Sequence, residues 1–129
     1  MLPFSVHFRA GEPVYTQVVY AAVRAMVSGQ LRVGDLFPSV RSLSQELRIN
    51  PNTAQKVIGA LKEKGLLEVQ PGVGTLVAKL PEFDRRQRVQ LLREQAEELV
   101  VEAMRLRLEP DEVVEAVREH WARLSREER

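Results

Sequence analysis

The chain has 129 residues, 44% hydrophobic, 29% charged and 5% aromatic, which is the balance of an ordinary soluble globular protein. Because it contains no cysteine, disulfide frameworks, thiolate metal sites and thiol nucleophiles are excluded. No apolar run approaches the roughly 18 residues that a membrane span needs. The residues after Met1 also lack the basic start of a secretory signal. We therefore expect a cytoplasmic protein that does not engage a membrane.

A metal or another cofactor is not expected either. The two histidines, His7 and His120, lie far apart in the sequence, so a histidine metal cluster would need carboxylate partners with no recognisable spacing. Glu97, Glu98 and Glu102 fit a solvated helix face better than a set of metal ligands. The chain is thus predicted to be free of metals and cofactors.

The formal net charge of +1 is unevenly distributed along the chain. In residues 1–80, nine Lys and Arg stand against five Asp and Glu, a net charge of +4. In residues 81–129, ten Arg stand against thirteen Asp and Glu, a net charge of −3. The difference weakly favours a polyanionic partner for the front part of the chain.

An extended arm is predicted for residues 1–11, because apolar residues partly alternate there and Gly11 and Pro13 break the chain. Apolar residues at helical spacing then predict a first helix over residues 13–28, and Gly29 is a typical stop signal. We therefore separate an N-terminal arm from the domain that begins with this helix.

Two further helices follow closely on each other. Ser39 is a suitable cap for a short helix over residues 39–48. Asn50 is a favoured N-cap, and Pro51 suits the first helical position, so a third helix is predicted over residues 51–64. The pattern is a short helix, a tight turn and a capped helix.

The period then changes from helical to extended. Residues 66–69 and 75–79 are two strand candidates, and the loop between them contains Gly72 and Gly74. This reads as a β-hairpin, and it completes a domain over residues 12–80.

The tail, residues 81–129, is predicted to form two helices. Asp84 and Gln87 are spaced as a capping box, and Pro110 begins the second helix. Heptad-like spacing in the first helix and an apolar side on the second are typical of helices that pack against a partner. The candidate dimerisation residues are Val89, Leu92, Ala96, Leu99, Ala103, Leu106 and Trp121. The alternative is a monomer whose tail packs on its own front domain.

The front domain has the pattern of a helix-turn-helix followed by a β-hairpin, which makes a winged helix. The start of the third helix offers side chains that can bond base edges or phosphates, and its free N–H groups favour a phosphate. Arginine in the preceding helix can reach a phosphate or a guanine, and glycines let the wing approach a groove. The candidate DNA-binding residues are Ser39, Arg41, Asn50, Asn52, Thr53, Gln55, Lys56, Gly72 and Gly74.

Several runs, in fixed order, resemble the GntR-type winged-helix domain of bacterial transcription regulators. The runs are Pro13–Gln17, Ser28–Asp35, Pro38–Leu43, Leu47–Lys56 and Gly72–Val77, so the resemblance covers about residues 12–79. The Asn-Pro-Asn-Thr start of the third helix and the short tail look most like the YtrA subgroup. The fold implied is mainly α with a small β-hairpin: a winged helix-turn-helix domain and a C-terminal two-helix dimerisation tail.

The resemblance implies a homodimeric repressor that binds double-stranded DNA at a palindromic operator, often that of a membrane-transporter operon and of its own gene. GntR-type domains also occur fused to an aminotransferase-like domain, but no part of this tail could supply one. We therefore expect no catalytic residues and no enzyme. The tail has too little material to enclose an apolar effector pocket. A site at the dimer interface or between domains stays open.

Some positions depart from the family pattern. Pro51 stands where many relatives outside the subgroup carry a DNA-contacting arginine, and Val73 replaces a lysine common in the wing. Gly59 lies in the middle of the third helix at a cost of about 1 kcal/mol relative to alanine. The close approach of another helix would explain it, but the sequence leaves its role open.

An alternative function is a protein-interaction module that kept the winged helix but lost operator binding. Acidic or apolar residues at Arg41, Asn52, Thr53 and Gln55 would indicate it, and the sequence has none there. A sequence-specific DNA-binding regulator is therefore the preferred prediction.

Overall fold

The computed structural model describes residues 1–79 and 82–127, with no side-chain description for Glu127. Within those ranges it has five helices and one antiparallel hairpin, so the predicted mainly helical fold with a small hairpin is confirmed. In chain order the elements are α1 (Val14–Val27), α2 (Val40–Leu47), α3 (Pro51–Glu63), β1 (Leu67–Gln70), β2 (Gly74–Val77), α4 (Arg85–Arg105) and α5 (Pro110–Glu127). The chain divides into two compact units, of which residues 1–79 belong to the first and residues 82–125 to the second.

Side-chain caps fix the starts of α2 and α3, as the sequence predicts. The Ser39 hydroxyl accepts a hydrogen bond from the Ser42 backbone N–H at 3.1 Å. The Asn50 side-chain oxygen accepts one from the Asn52 backbone N–H at 2.8 Å, and Pro51 occupies the first turn of α3. Each cap satisfies a backbone donor that has no partner within its own helix.

The core of the first unit forms where α3 packs against α1 and α2. Its members are apolar side chains removed from water. Full burial of a large aliphatic side chain stabilises the folded state by about 1.5–3 kcal/mol. They include Val18, Ala22 and Ala25 of α1, Leu43 of α2, and Ala54, Val57, Ile58 and Leu61 of α3. One whole face of α3 is thereby used for folding.

The hairpin is shifted slightly from its predicted bounds, for two reasons. The Leu66 N–H still bonds the Leu61 carbonyl oxygen at 2.9 Å, so that residue belongs to the turn that ends α3. At the other end, Val77 pairs with Leu67, the first residue of β1, so β2 ends opposite the point where β1 begins. A single bridge from Leu36 to Leu76, which the sequence did not predict, covers the other edge of β2.

The N-terminal arm has no helix or strand, as expected, but it packs on the first unit. Phe4 is only 7% exposed, and its ring stacks on that of Phe37 with 5.9 Å between centroids. The buried Gln17 side chain accepts a hydrogen bond from the Arg9 backbone N–H at 2.8 Å. It also donates to the carbonyl oxygens of Arg9 at 3.0 Å and Glu12 at 3.1 Å. The arm is thus part of the core.

The second unit consists of α4 and α5. Asp84 and Gln87 form the predicted capping box, in which each side chain accepts a hydrogen bond from the other's backbone N–H, at 2.8 Å and 3.0 Å. Ala103 is the only buried residue among the described positions of α4. Val113 and Leu124 are half-buried in α5. Within the single chain, these helices bury very little apolar surface.

We predict that Phe4→Ala destabilises the protein by about 3 kcal/mol, because it removes a buried ring and leaves a cavity beside Phe37. Phe8→Ala is the matched control, since Phe8 is 44% exposed and should cost less than about 1 kcal/mol. Urea unfolding followed by circular dichroism measures both. Equal losses would contradict a core role for Phe4.

Removal of the α3 cap is also testable. Asn50→Ala should lower the free energy of unfolding by about 1 kcal/mol, because the Asn52 backbone N–H loses its acceptor. Asn52→Ala, two residues away on an exposed position, should change it by less than about 0.5 kcal/mol. Thermal unfolding of both variants would reveal an error if Asn52→Ala proved as costly as Asn50→Ala.

Candidate nucleic-acid interface

The turn between α2 and α3 is short and closed by hydrogen bonds. Arg48 ends α2 in the left-handed region, with φ of 54°, and its backbone N–H bonds the Ser44 carbonyl oxygen. The Ile49 N–H bonds the same oxygen at 3.1 Å, and Asn50 then caps α3. These bonds satisfy the end of α2 and fix the direction in which α3 leaves the turn. The predicted helix-turn-helix is present.

The outward face of α3 carries candidates predicted from the sequence. Asn52, Gln55 and Lys56 are exposed, whereas Thr53 is half-buried. Because the opposite face is packed in the core, these residues meet solvent close to the helix N-terminus, where backbone N–H groups and the helix dipole favour an anion. The structure therefore brings a polar, hydrogen-bonding surface to one end of α3.

Lys56 has a contact that the sequence did not predict. Its ammonium lies over the ring of Tyr15, in α1, with 4.5 Å between Nζ and the ring centroid. This cation–π contact draws the side chain towards α1 and holds the charge at the edge of the α3 face. A phosphate contact from Lys56 stays a prediction, and in this structure its ammonium is held against Tyr15.

The start of α2 contributes Ser39 and Arg41. Besides capping the Ser42 N–H, the Ser39 hydroxyl lies 3.2 Å from the Ser42 hydroxyl, so its oxygen is already engaged in the fold. Arg41 is exposed, and the described residues offer it no hydrogen bond or ion pair. Its five donors are thus available to an external acceptor.

The loop of the hairpin is a tight turn at the tip of the wing. The Val73 N–H bonds the Gln70 carbonyl oxygen at 3.0 Å, and Gly72 has φ of +78°, as the third position of a type II turn requires. Gly74 has φ of +130°, and a Cβ there would lie 3.3 Å from Leu36 Cδ2. The fold itself therefore accounts for Gly74, while its contact with DNA stays a prediction.

The close approach of another helix does not explain Gly59. No heavy atom lies within 4 Å of the position that its Cβ would take, so no helix approaches closely there. Gly59 is exposed, on the outward side of α3. Helical period puts the glycine on the side of Asn52 and Gln55, but the sequence does not show whether another helix approaches it.

The candidate dimerisation residues of the tail lie mostly on exposed surface. Val89, Leu92, Leu99 and Leu106 are between 47% and 64% exposed, and Trp121 is 74% exposed. Ala96 is exposed as well, and only Ala103 is buried. A broad apolar surface of the second unit thus has no cover within the described chain.

A polar pair lies at the end of α4, beside that surface. The Arg105 guanidinium donates a hydrogen bond to the Glu102 carboxylate at 3.0 Å, and this bond lowers the pKa of the Glu102 carboxyl below its ordinary value. The carboxylate therefore stays ionised at neutral pH.

No three described His, Asp or Glu side chains are arranged to hold a metal ion. None of the described helices is long and apolar enough to cross a membrane.

Comparison with known protein families gives a specific match. The model of the bacterial regulatory proteins of the gntR family matches residues 15–77. Over 111 residues the chain is 30% identical to the HTH-type transcriptional regulator YhcF of Bacillus subtilis, covering 86% of this chain and 92% of that protein. It is 27% identical to the HTH-type transcriptional repressor YtrA of the same organism, covering 86% of each chain.

Solved structures agree with these matches. The crystal structure of a transcriptional antiterminator from Listeria monocytogenes matches 95% of this chain and 92% of its own. With a TM-score of 0.80 at 21% identity, it shares the fold. The DNA-binding domain of AraR in complex with operator ORX1 is 29% identical over 57% of this chain and 95% of that chain, with a TM-score of 0.52. The chain belongs to the GntR family of DNA-binding transcriptional regulators, so it is a regulator and not an enzyme, and within that family it is YtrA-like.

Proposed function

We propose that the protein is a homodimeric repressor that binds a palindromic operator through α2, α3 and the hairpin. The observation that carries the proposal is the outward face of α3, where Asn52 and Gln55 are exposed beside a capped helix N-terminus. Amide side chains can bond adenine in the major groove with two hydrogen bonds, and the helix N-terminus suits a phosphate. Arg41, exposed on α2, adds a charged contact.

Dimerisation follows from the tail. The seam on α4, defined by Val89, Leu92, Ala96, Leu99, Ala103 and Leu106, is apolar and mostly exposed. A second copy of the chain would cover it in a self-complementary, two-fold symmetric contact. Two-fold symmetry would present two copies of α3 to successive half-sites, which matches a palindrome.

Repression and the target genes are proposed from similarity alone. YtrA of Bacillus subtilis is a transcriptional repressor by name, and this chain covers 86% of that protein. We extend the proposal to a transporter operon and the protein's own gene as targets. Nuclease footprinting of the DNA upstream of its own gene tests this, and a lack of protection there would contradict self-regulation.

The DNA-binding part of the proposal is tested by selection. The full-length protein should enrich a palindromic duplex from a random-sequence library. The logarithm of its binding constant should fall with the logarithm of salt concentration, by about 0.9 per phosphate contact. Binding without sequence preference, or without salt dependence, would instead favour the interaction-module alternative.

We predict that Arg41→Ala weakens binding to the selected duplex tenfold or more. A hydrogen bond from a charged group is worth roughly 1.5–3 kcal/mol, and the loss of an exposed side chain leaves the fold intact. Arg9→Ala is the matched control, because Arg9 is an exposed arginine of the arm whose side chain pairs only with Glu12 among the described residues. Fluorescence anisotropy with the labelled duplex measures both affinities. Unchanged affinity in Arg41→Ala would remove Arg41 from the interface.

We predict that Leu99→Glu dissociates the dimer and lowers operator affinity, because it places a charge in the apolar seam. Val101→Glu is the control: Val101 lies on the same helix outside the seam and is 60% exposed. Analytical ultracentrifugation at micromolar concentration should give a dimer for the wild type and for Val101→Glu. A monomeric wild type would refute the dimer, and a dimeric Leu99→Glu would refute the seam.

A further inference from the structure

Gly59 lies in the middle of α3, yet nothing within the described chain requires a glycine there. Its φ is not in the left-handed region, and no heavy atom lies within 4 Å of the position of a Cβ. Glycine inside an exposed helix is less favourable than alanine, because its backbone is freer in the unfolded chain. Neither backbone geometry nor packing therefore explains this residue.

The position of Gly59 connects it with the candidate interface. It follows Asn52 by seven residues and Gln55 by four, which puts all three on one side of a helix with 3.6 residues per turn. All three are exposed. The outward side of α3 thus continues from two amide side chains to a point where the helix backbone is bare.

No side chain of α3 covers this bare point. Side chains of a helix lean towards its N-terminus, so the long side chains placed to fold over Gly59 are those of Lys62 and Glu63. Neither has a heavy atom within 4 Å of the position of a Gly59 Cβ. The backbone at Gly59 is therefore open to a large partner that approaches α3 from outside.

We propose that Gly59 is the point at which duplex DNA contacts the backbone of α3, so that its missing side chain sets how deeply the helix enters the major groove. A helix with its side chains is about 10–12 Å across and the groove about 12 Å wide, so one extra side chain on the contacting face matters. The inference rests on the proposed function, because it requires that α3 binds in the groove.

Two substitutions test this, and each variant is compared with the wild-type protein. The probe is the duplex that the wild type enriches from a random-sequence library. Gly59→Ala and Gly59→Leu both add helix-favouring side chains that cannot donate a new hydrogen bond to DNA. Both variants should melt higher than the wild type, by roughly 4–8 °C for the alanine variant. Their affinity should nevertheless fall, about fivefold for alanine and by more than about tenfold for leucine, as an overpacked contact does.

Thr16→Ala is the control for stabilisation alone, because Thr16 is an exposed residue of α1 outside the candidate interface. It should keep wild-type affinity. Gly59 variants that bind as tightly as the wild type would overturn the inference and leave the proposed function standing. A lower melting temperature would overturn it too, because the glycine would then serve the fold. A wild type that enriches no duplex would overturn both proposals.

Discussion

The first unit depends on the burial of one face of α3. Val57 and Leu61 are completely buried between α1 and α2, and Ala54 and Ile58 complete that face. Because one face of α3 is packed in the core, only the residues of its opposite face are exposed to solvent. The short turn at Arg48 then fixes the start of the helix relative to α2. The packing of α3 against α1 and α2 therefore both forms the core and determines which side chains of α3 are exposed.

Much of this could be predicted from sequence, because capping chemistry is local. Ser39, Asn50 and the pair of Asp84 and Gln87 mark helix starts that the structure reproduces, since each cap needs only a side-chain oxygen two or three residues from its donor. The apolar face of α3 follows from helical period in the same way. The nine candidate residues at the interface were chosen by this reasoning and by family resemblance, and their contact with DNA stays a prediction.

Contacts between distant segments could not be predicted. Phe4 reads as one apolar residue in a partly alternating arm, and nothing in its neighbours indicates that its ring stacks on Phe37. The bridge from Leu36 to Leu76 is a single residue pair and produces no periodic pattern. The role of Gly59 stays open at the level of sequence for the same reason, because its surroundings depend on how three helices pack. The contact between Lys56 and Tyr15 had only one signal in the sequence, which was the presence of an aromatic residue in α1.

The exposed position of Trp121 has a spectroscopic consequence. It is the chain's one tryptophan, and it is 74% exposed on α5. Indole emission moves to shorter wavelength when water is excluded from the ring, so fluorescence excited beyond the absorption of tyrosine reports on the tail alone. The winged-helix unit contains Tyr15 and Tyr20 but no tryptophan, and it is silent under that excitation. Covering of the α5 surface by any partner can therefore be followed without a label, separately from events at the helix-turn-helix.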